Sequence, residues 1–192
     1  MIKSNLNRRD LIGGGTIVSL SITAMAALTG LGSSSAFAKT KTAAEKASEK
    51  ADADVLNQAL AAEFQAIAAY QVGAESGLLK KPALALALQF QGHHKAHADL
   101  LHGTIEELGG KPATALKTYN FPLEKLKTDK DVLRFAAGLE QGAVSAYLTS
   151  VAKFTDRNLA KAAASVLGDE AMHWAVLLNV LGENPVPQAF VV

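Results

Sequence analysis

The 192-residue chain contains no cysteine. That excludes disulfides, thiolate-bound iron–sulfur centres and cysteine nucleophiles. It says nothing about compartment, because exported proteins need not carry disulfides. Aromatic residues are scarce, at 6%, while Ala and Leu are abundant, a balance that favours helix over sheet. Charge of one sign is lacking too: 19 Lys and Arg stand against 18 Asp and Glu, for a formal net charge of +1. No strongly basic patch is present, so nucleic acid is not an expected partner. The one long apolar run, Ile12 to Leu31, is interrupted by Gly13, Gly14, Gly15, Ser19, Ser21 and Thr23 and makes a poor membrane anchor. The length suffices for one domain with its own core.

What is present begins with an export pattern. Lys3, Arg8 and Arg9 form a positive start, the weak apolar run follows, and Ala36-Phe37-Ala38 offers a small-x-small cleavage site, so residues 1–38 read as a signal peptide. The stretch Asn7-Arg8-Arg9-Asp10-Leu11-Ile12 resembles a twin-arginine signal. It departs from that pattern with Asn7 for the usual Ser/Thr, Leu11 for Phe and Gly13 for Lys. The expectation is a periplasmic or otherwise exported protein. The twin-arginine translocase would be a transient partner, with no stable membrane insertion after cleavage. Residues 39–51, rich in Lys, Glu, Ala, Ser and Thr without an apolar stripe, read as a solvated linker, helical at most near its end.

Four amphipathic helices follow. The first is expected from about Asp52 to Ser76, with Leu56, Leu60, Glu63, Ile67, Tyr70 and Ala74 stepping by four and three along one face. Gly77 and Lys80-Lys81-Pro82 close it. The second runs from about Pro82 to Leu108, where Leu86, Phe90, His94, His97, Leu101 and Leu108 share a face, and Gly109-Gly110 stops it. Residues 109 to about 128 carry Pro112 and Tyr119-Asn120-Phe121-Pro122 and do not continue a helix; they can span the length of a bundle. The third helix is expected from Asp129 to Phe154, with Leu133, Ala136, Glu140, Val144, Tyr147, Val151 and Phe154 inward. The fourth extends to Leu181 through Leu159, Ala163, Val166, Glu170, His173, Leu177 and Val180. Gly182, Pro185 and Pro187 end it, leaving an apolar tail over 183–192 that can dock on the bundle. Short, long and short connections predict an all-α, antiparallel four-helix bundle over 52–182, with one long crossover between the second and third helices.

The polar residues inside these stripes carry the chemistry. Glu170 and His173 lie one helical turn apart on one face, a hard oxygen followed by an imidazole nitrogen. Glu63 and Tyr70 are repeated, at the same spacing, by Glu140 and Tyr147. Glu63 to His97 is 34 positions and Glu140 to His173 is 33, so the second half repeats the polar plan of the first. A carboxylate in a bundle seam costs several kcal/mol unless it is paired or bound to metal. No Lys or Arg stands at the same level of any stripe. Glu63, Glu140 and Glu170 therefore call for a cation, in company with imidazoles. His93 is one position off the stripe; His102 reads as a surface histidine and Trp174 as packing.

This layout resembles the ferritin-like di-iron carboxylate bundles, such as bacterioferritin and rubrerythrin, and more narrowly the exported ferritin-like domain proteins. The resemblance covers about residues 52–182. It implies terminal carboxylates at Glu63 and Glu140, a bridging carboxylate at Glu170 and terminal imidazoles at His97 and His173. It also implies tyrosines with supporting or redox roles at Tyr70 and Tyr147; as ordinary core aromatics these would need only a hydrogen-bond partner. His94 departs from the family, which has a second bridging Glu there. An imidazole cannot bridge two metals as a carboxylate does, and three carboxylates offset less charge than four. The site is thus expected to hold two irons, or one metal; manganese and zinc are alternatives.

Two classes of function follow. One is an exported metal protein with oxygen, peroxide or ferrous-iron chemistry, of ferroxidase or peroxidase type. The other is a non-catalytic stress or structural bundle whose metal site is degenerate or single. Iron storage in a bacterioferritin-type cage is disfavoured by the lack of a fifth helix after Leu181, which leaves a homodimer open. Without cysteine the chain cannot carry a rubredoxin-like iron site.

Overall fold

The computed structural model describes residues 41–191. The expected signal peptide, its cleavage site and the first residues of the expected linker lie outside them. Four helices are present: α1 (Ala43–Glu75), α2 (Lys81–Glu107), α3 (Asp129–Val151) and α4 (Arg157–Leu181). α1 packs against α2 and α3 against α4 as antiparallel hairpins, and α1 also approaches α3. None of the described helices is long and apolar enough to cross a membrane.

α1 begins at Ala43, not at about Asp52, so most of the stretch expected as a linker is helix. The reason is local. Thr42 accepts from the Glu45 N–H, and the Glu45 carboxylate accepts in return from the Thr42 N–H, a reciprocal cap that satisfies two orphan donors. The Ala-, Glu- and Lys-rich residues behind it are strong helix formers, and they extend a helix already nucleated by packing, so they need no apolar stripe. Thr128 and Asp131 start α3 by the same device, and Asp156 caps α4. Gly182, at φ 78°, ends α4 in the left-handed conformation that favours glycine.

The crossover from α2 to α3 runs from one end of the bundle to the other. At its start, Asn57 of α1 donates to the Lys111 carbonyl and accepts from the Ala113 N–H. At its end, the Lys80 N–H beside the α1–α2 turn donates to Asp129. Gly110 makes the exit from α2, where a Cβ would lie 2.9 Å from the Ile105 side chain and 3.1 Å from Ala53.

The core has apolar ends and a polar middle. At one end Tyr70, Phe90, Leu133, Trp174 and Leu177 pack together, with Val191 of the tail against them, while Phe190 stays exposed. At the other end Leu56, Leu60, Leu101 and Ile105 form one cluster, and Tyr147, Ala163 and Val166 another. Between these layers Glu63, His94, Glu140, Glu170 and His173 are all buried. The expected stripes occupy the interior except at Val180, which is 47% exposed; Leu181 packs on the core in its place. Buried Asp52 lies apart from this layer and accepts from the backbone N–H groups of Thr155 and Asp156, holding the α3–α4 turn.

Candidate metal centre

Each helix delivers its part because the inward face of a helix repeats every three to four residues. α1 brings Glu63 and Tyr70, α2 brings His94 and His97, α3 brings Glu140 and Tyr147, and α4 brings Glu170 and His173. Two overlapping groups of donor atoms result, Glu63–His94–His97–Glu170 and His94–Glu140–Glu170–His173. Glu170 belongs to both. Its Oε1 lies 3.1 Å from His97 Nδ1 and its Oε2 lies 3.3 Å from His173 Nδ1, so its two oxygens face two different imidazoles. Glu63 Oε2 stands 3.7 Å from His97 Nδ1, and Glu140 Oε1 3.5 Å from His173 Nδ1.

The tyrosines cross between the hairpins. The Tyr147 hydroxyl of α3 donates to Glu63 Oε1 of α1 at 2.5 Å, and the Tyr70 hydroxyl of α1 donates to Glu140 Oε1 of α3. Burial and the neighbouring carboxylates Glu140 and Glu63 push both phenols far above their ordinary range, so both remain protonated donors.

His94 sits in the middle, within both groups. Its Nδ1 is 2.8 Å from Glu63 Oε2 and its Nε2 is 3.3 Å from Glu140 Oε1. Burial pulls its pKa down, but hydrogen bonding to Glu140 and Glu63 outweighs burial and raises it to about 10. The same contest raises His97 to about 9, through Glu170 and Glu63, and His173 to about 9, through Glu140 and Glu170. On the other side of these pairs, burial raises Glu63 and Glu140, but the imidazoles of His94 and His97 beside Glu63, and of His173 and His94 beside Glu140, leave both below the usual carboxylate range. In the metal-free protein, therefore, protons on imidazole supply the positive charge that the sequence could not assign to any Lys or Arg.

Those protons do not complete the layer. His97 Nδ1, Glu140 Oε2 and Glu170 Oε1 are buried with no hydrogen-bond partner. Orphaned buried polar atoms are costly and rare, at about 1–3 kcal/mol each. Two of them, His97 Nδ1 and Glu170 Oε1, are 3.1 Å apart, at ion-pair distance but without hydrogen-bond geometry. A nitrogen and an oxygen at that distance are compatible with two ligands of one cation, as with an ion pair. The donor set, carboxylate oxygens with imidazole nitrogens, fits iron, manganese or zinc.

A cleft of about 550 Å³ opens between α1 and α3 and reaches Glu63, His94 and Glu140. Ala62, Ala66, Gly138 and Gly142 line it. A Cβ built at Gly138 or Gly142 meets nothing within 4 Å, so close packing does not require glycine at either place.

Two residues near the centre escaped the sequence reasoning. Asp169 and His93 both lie one position off the inward stripes. Asp169 Oδ2 lies 3.3 Å from both His97 Nε2 and His173 Nε2, and 3.2 Å from His93 Nδ1. The signal was available: His93 precedes His97 by four, as Asp169 precedes His173, so His93-His94-x-x-His97 aligns on Asp169-Glu170-x-x-His173. His102 is on the surface beside Glu106, and Trp174 packs in the apolar core, both as expected.

A family model described as "Ferritin-like domain" matches residues 51–183. Among solved structures, a conserved hypothetical protein, rv2844, from Mycobacterium tuberculosis superposes with a TM-score of 0.64 at 23% identity, over 73% of this chain and 97% of that one. At that identity the likeness concerns the fold alone. No protein of curated function matches the sequence.

Proposed function

The chain belongs to the ferritin-like domain family, and from that premise we propose that it is an exported metal-binding protein whose centre takes iron. Glu63 and His97 would hold one ion and Glu140 and His173 the other, with Glu170 between them. The observation that carries this reading is the set of buried, unpartnered donor atoms on His97, Glu140 and Glu170. Iron bound there supplies one-electron chemistry with oxygen or peroxide, including oxidation of ferrous iron. The protein's own part is to hold the ligands. Tyr147 and Tyr70 fix one oxygen of each terminal carboxylate. The α1–α3 cleft gives small oxidants a path to those carboxylates. Both phenols also stand close enough to serve as redox partners of the centre.

The test is metal analysis with an optical spectrum and a ferrous-oxidation assay on protein matured in its own compartment. One tightly held iron per chain, a second held more weakly beside His94, and oxygen-dependent oxidation are expected. A protein that takes up no divalent metal in any preparation removes the reading. Export rests on the N-terminal pattern of Arg8 and Arg9. Replacing both by Lys should leave precursor in the cytoplasm, and unchanged export would remove the twin-arginine route without touching the metal reading.

A second reading is favoured by one contact pair. His94 bonds to Glu63 and lies against Glu140, where a fourth carboxylate would otherwise stand. As an imidazolium it acts as a built-in cation, so the centre would hold a single metal or serve as a structural layer only. Stoichiometry separates the two readings.

A further inference from the structure

Outside the inner layer the bundle carries another group of donors, and it faces solvent. His93 Nδ1, Asp169 Oδ2 and His173 Nε2 lie within 2.8–3.3 Å of one another. The His93 and Asp169 side chains are 39% and 25% exposed, while that of His173 is 2%. We propose that these three side chains form an outer, solvent-facing cation site for a first-row divalent metal, which shares His173 with the inner centre and competes with it for that imidazole.

Donor spacing supports the assignment. Metal–ligand bonds of about 2.0–2.1 Å at tetrahedral angles put donor atoms roughly 3.3–3.5 Å apart. The two contacts of Asp169 Oδ2, at 3.2 and 3.3 Å, already lie at or just below that spacing. Only His93 Nδ1 and His173 Nε2, at 2.8 Å, need to open, by about half an ångström. At that separation one of the two nitrogens lacks a proton, since two N–H groups would repel, so a lone pair already points into the group. Three protein donors and a water-facing fourth position suit a site that must load and unload.

His173 gives the site its consequence. Its Nδ1 faces Glu170 and Glu140 inside, and its Nε2 faces Asp169 and His93 outside. A neutral imidazole has one lone pair. With a metal outside, Nε2 is the ligand and Nδ1–H points at the inner carboxylates. With a metal inside, Nδ1 is the ligand and Nε2–H points at Asp169. The two sites therefore do not share His173 fully at one time, so filling one weakens the other. Only this competition rests on the inner metal reading; the outer site stands on its own donors.

The test is cobalt(II) titration of the full mature chain, read by visible absorption and by stoichiometry. In the Glu63→Gln/Glu140→Gln protein, whose inner centre is crippled, one cobalt per chain should remain, with the intense bands of a low-coordinate nitrogen–oxygen site. Adding His93→Gln should weaken that binding at least ~10–100-fold, the range known for losing even an outer partner of a metal ligand. Cobalt binding that ignores His93→Gln overturns the proposal, as does a Gln/Gln protein that binds none while the native protein does. Native binding of one cobalt, abolished by His93→Gln, would keep the outer site and remove the inner reading; no cobalt bound by the native protein removes both. If the Gln/Gln protein loses its helical circular dichroism, His93→Gln alone decides by loading kinetics. About tenfold slower uptake supports the outer site, and unchanged uptake overturns it.

Discussion

α1 and α3 are near copies at the polar layer, whereas α2 and α4 are not. Glu63 with Tyr70 and Glu140 with Tyr147 sit at the same spacing, are equally buried and exchange hydrogen bonds across the bundle. Against that regularity, α2 presents His93-His94-x-x-His97 where α4 presents Asp169-Glu170-x-x-His173. Two positions change from carboxylate to imidazole on one hairpin only. The repeated half supplies two buried carboxylates and the tyrosines that hold them, which any occupant of the layer meets. The differing half sets the charge of the layer, and so which occupant it prefers, protons or metal.

The most damaging way to break the comparison is to remove what α4 has and α2 lacks. Glu170→Ala should abolish metal uptake, because Glu170 alone places one oxygen toward each terminal imidazole. It should also cost about 3–5 kcal/mol of stability, as expected when a buried pair loses one partner. Metal analysis and denaturant unfolding check both, and full metal content in the variant would show that Glu170 is not shared. The next effect comes from making α2 resemble α4. His94→Glu restores a fourth carboxylate and removes the imidazolium between Glu63 and Glu140. A second metal should then bind about tenfold tighter or more, a gain of roughly 1.4 kcal/mol, while the metal-free protein becomes less stable. Two tightly held irons in the native protein, with no gain in the variant, would show that the asymmetry does not control occupancy.

A smaller effect, needing no mutation, is read from pH. His94, His97 and His173 are raised to about 10, 9 and 9 from 6.5. Each binds its proton more tightly folded than unfolded. Their contribution to metal-free stability is therefore fully present below about pH 6.5 and is lost as pH rises through about 9–10. Glu63 and Glu140 are lowered, so their contribution is present above the ordinary carboxylate range and lost on acidification. Metal must displace the imidazole protons, so its affinity rises with pH over the same window. Thermal unfolding at pH 6, 8 and 10, with and without metal, should show a falling metal-free Tm and a growing increment from metal. A metal-free Tm that stays level across this range would mean that the imidazoles are neutral.

The bundle and the inner layer were legible because both are written as helical period. Glu63, Glu140, Glu170 and His173 stand in stripes otherwise filled by Leu, Val and Ala, and a repeat of that kind survives translation into space. Less legible was anything set by contacts off the stripe. Asp169 lies one position beside Glu170, where periodicity predicts a helix flank, yet its Oδ2 reaches three ring nitrogens from two helices. The start of α1 was misplaced for a related reason: hydrophobic pattern marks only the packed part of a helix, whereas Thr42 and Glu45 begin it by hydrogen bonding. The role of protons was also hidden. A Lys or Arg is what a sequence offers as partner to carboxylates, but the counter-charge is His94 itself, whose pKa two carboxylates raise against the opposing pull of burial.

The finest test asks whether α1 and α3 are equivalent in energy as well as in pattern. Tyr147→Phe and Tyr70→Phe each remove one hydroxyl from a buried carboxylate, and hydrogen bonds to charged groups are worth about 1.5–3 kcal/mol. The carboxylates left behind differ. Glu63 keeps a 2.8 Å bond from His94 on its other oxygen. Glu140 keeps two longer contacts, 3.3 Å from His94 and 3.5 Å from His173, both to the oxygen that Tyr70 shared, and its Oε2 has no partner. Tyr70→Phe should therefore destabilise the metal-free protein more than Tyr147→Phe, with both costs within the few kcal/mol of a single buried bond. Metal should narrow the difference, because a ligand on Glu140 Oε2 supplies the partner it lacks. Equal costs without metal, or the reverse order, would mean that His94 sits symmetrically between the two carboxylates and that the inequality of the hairpins stops at α2 and α4.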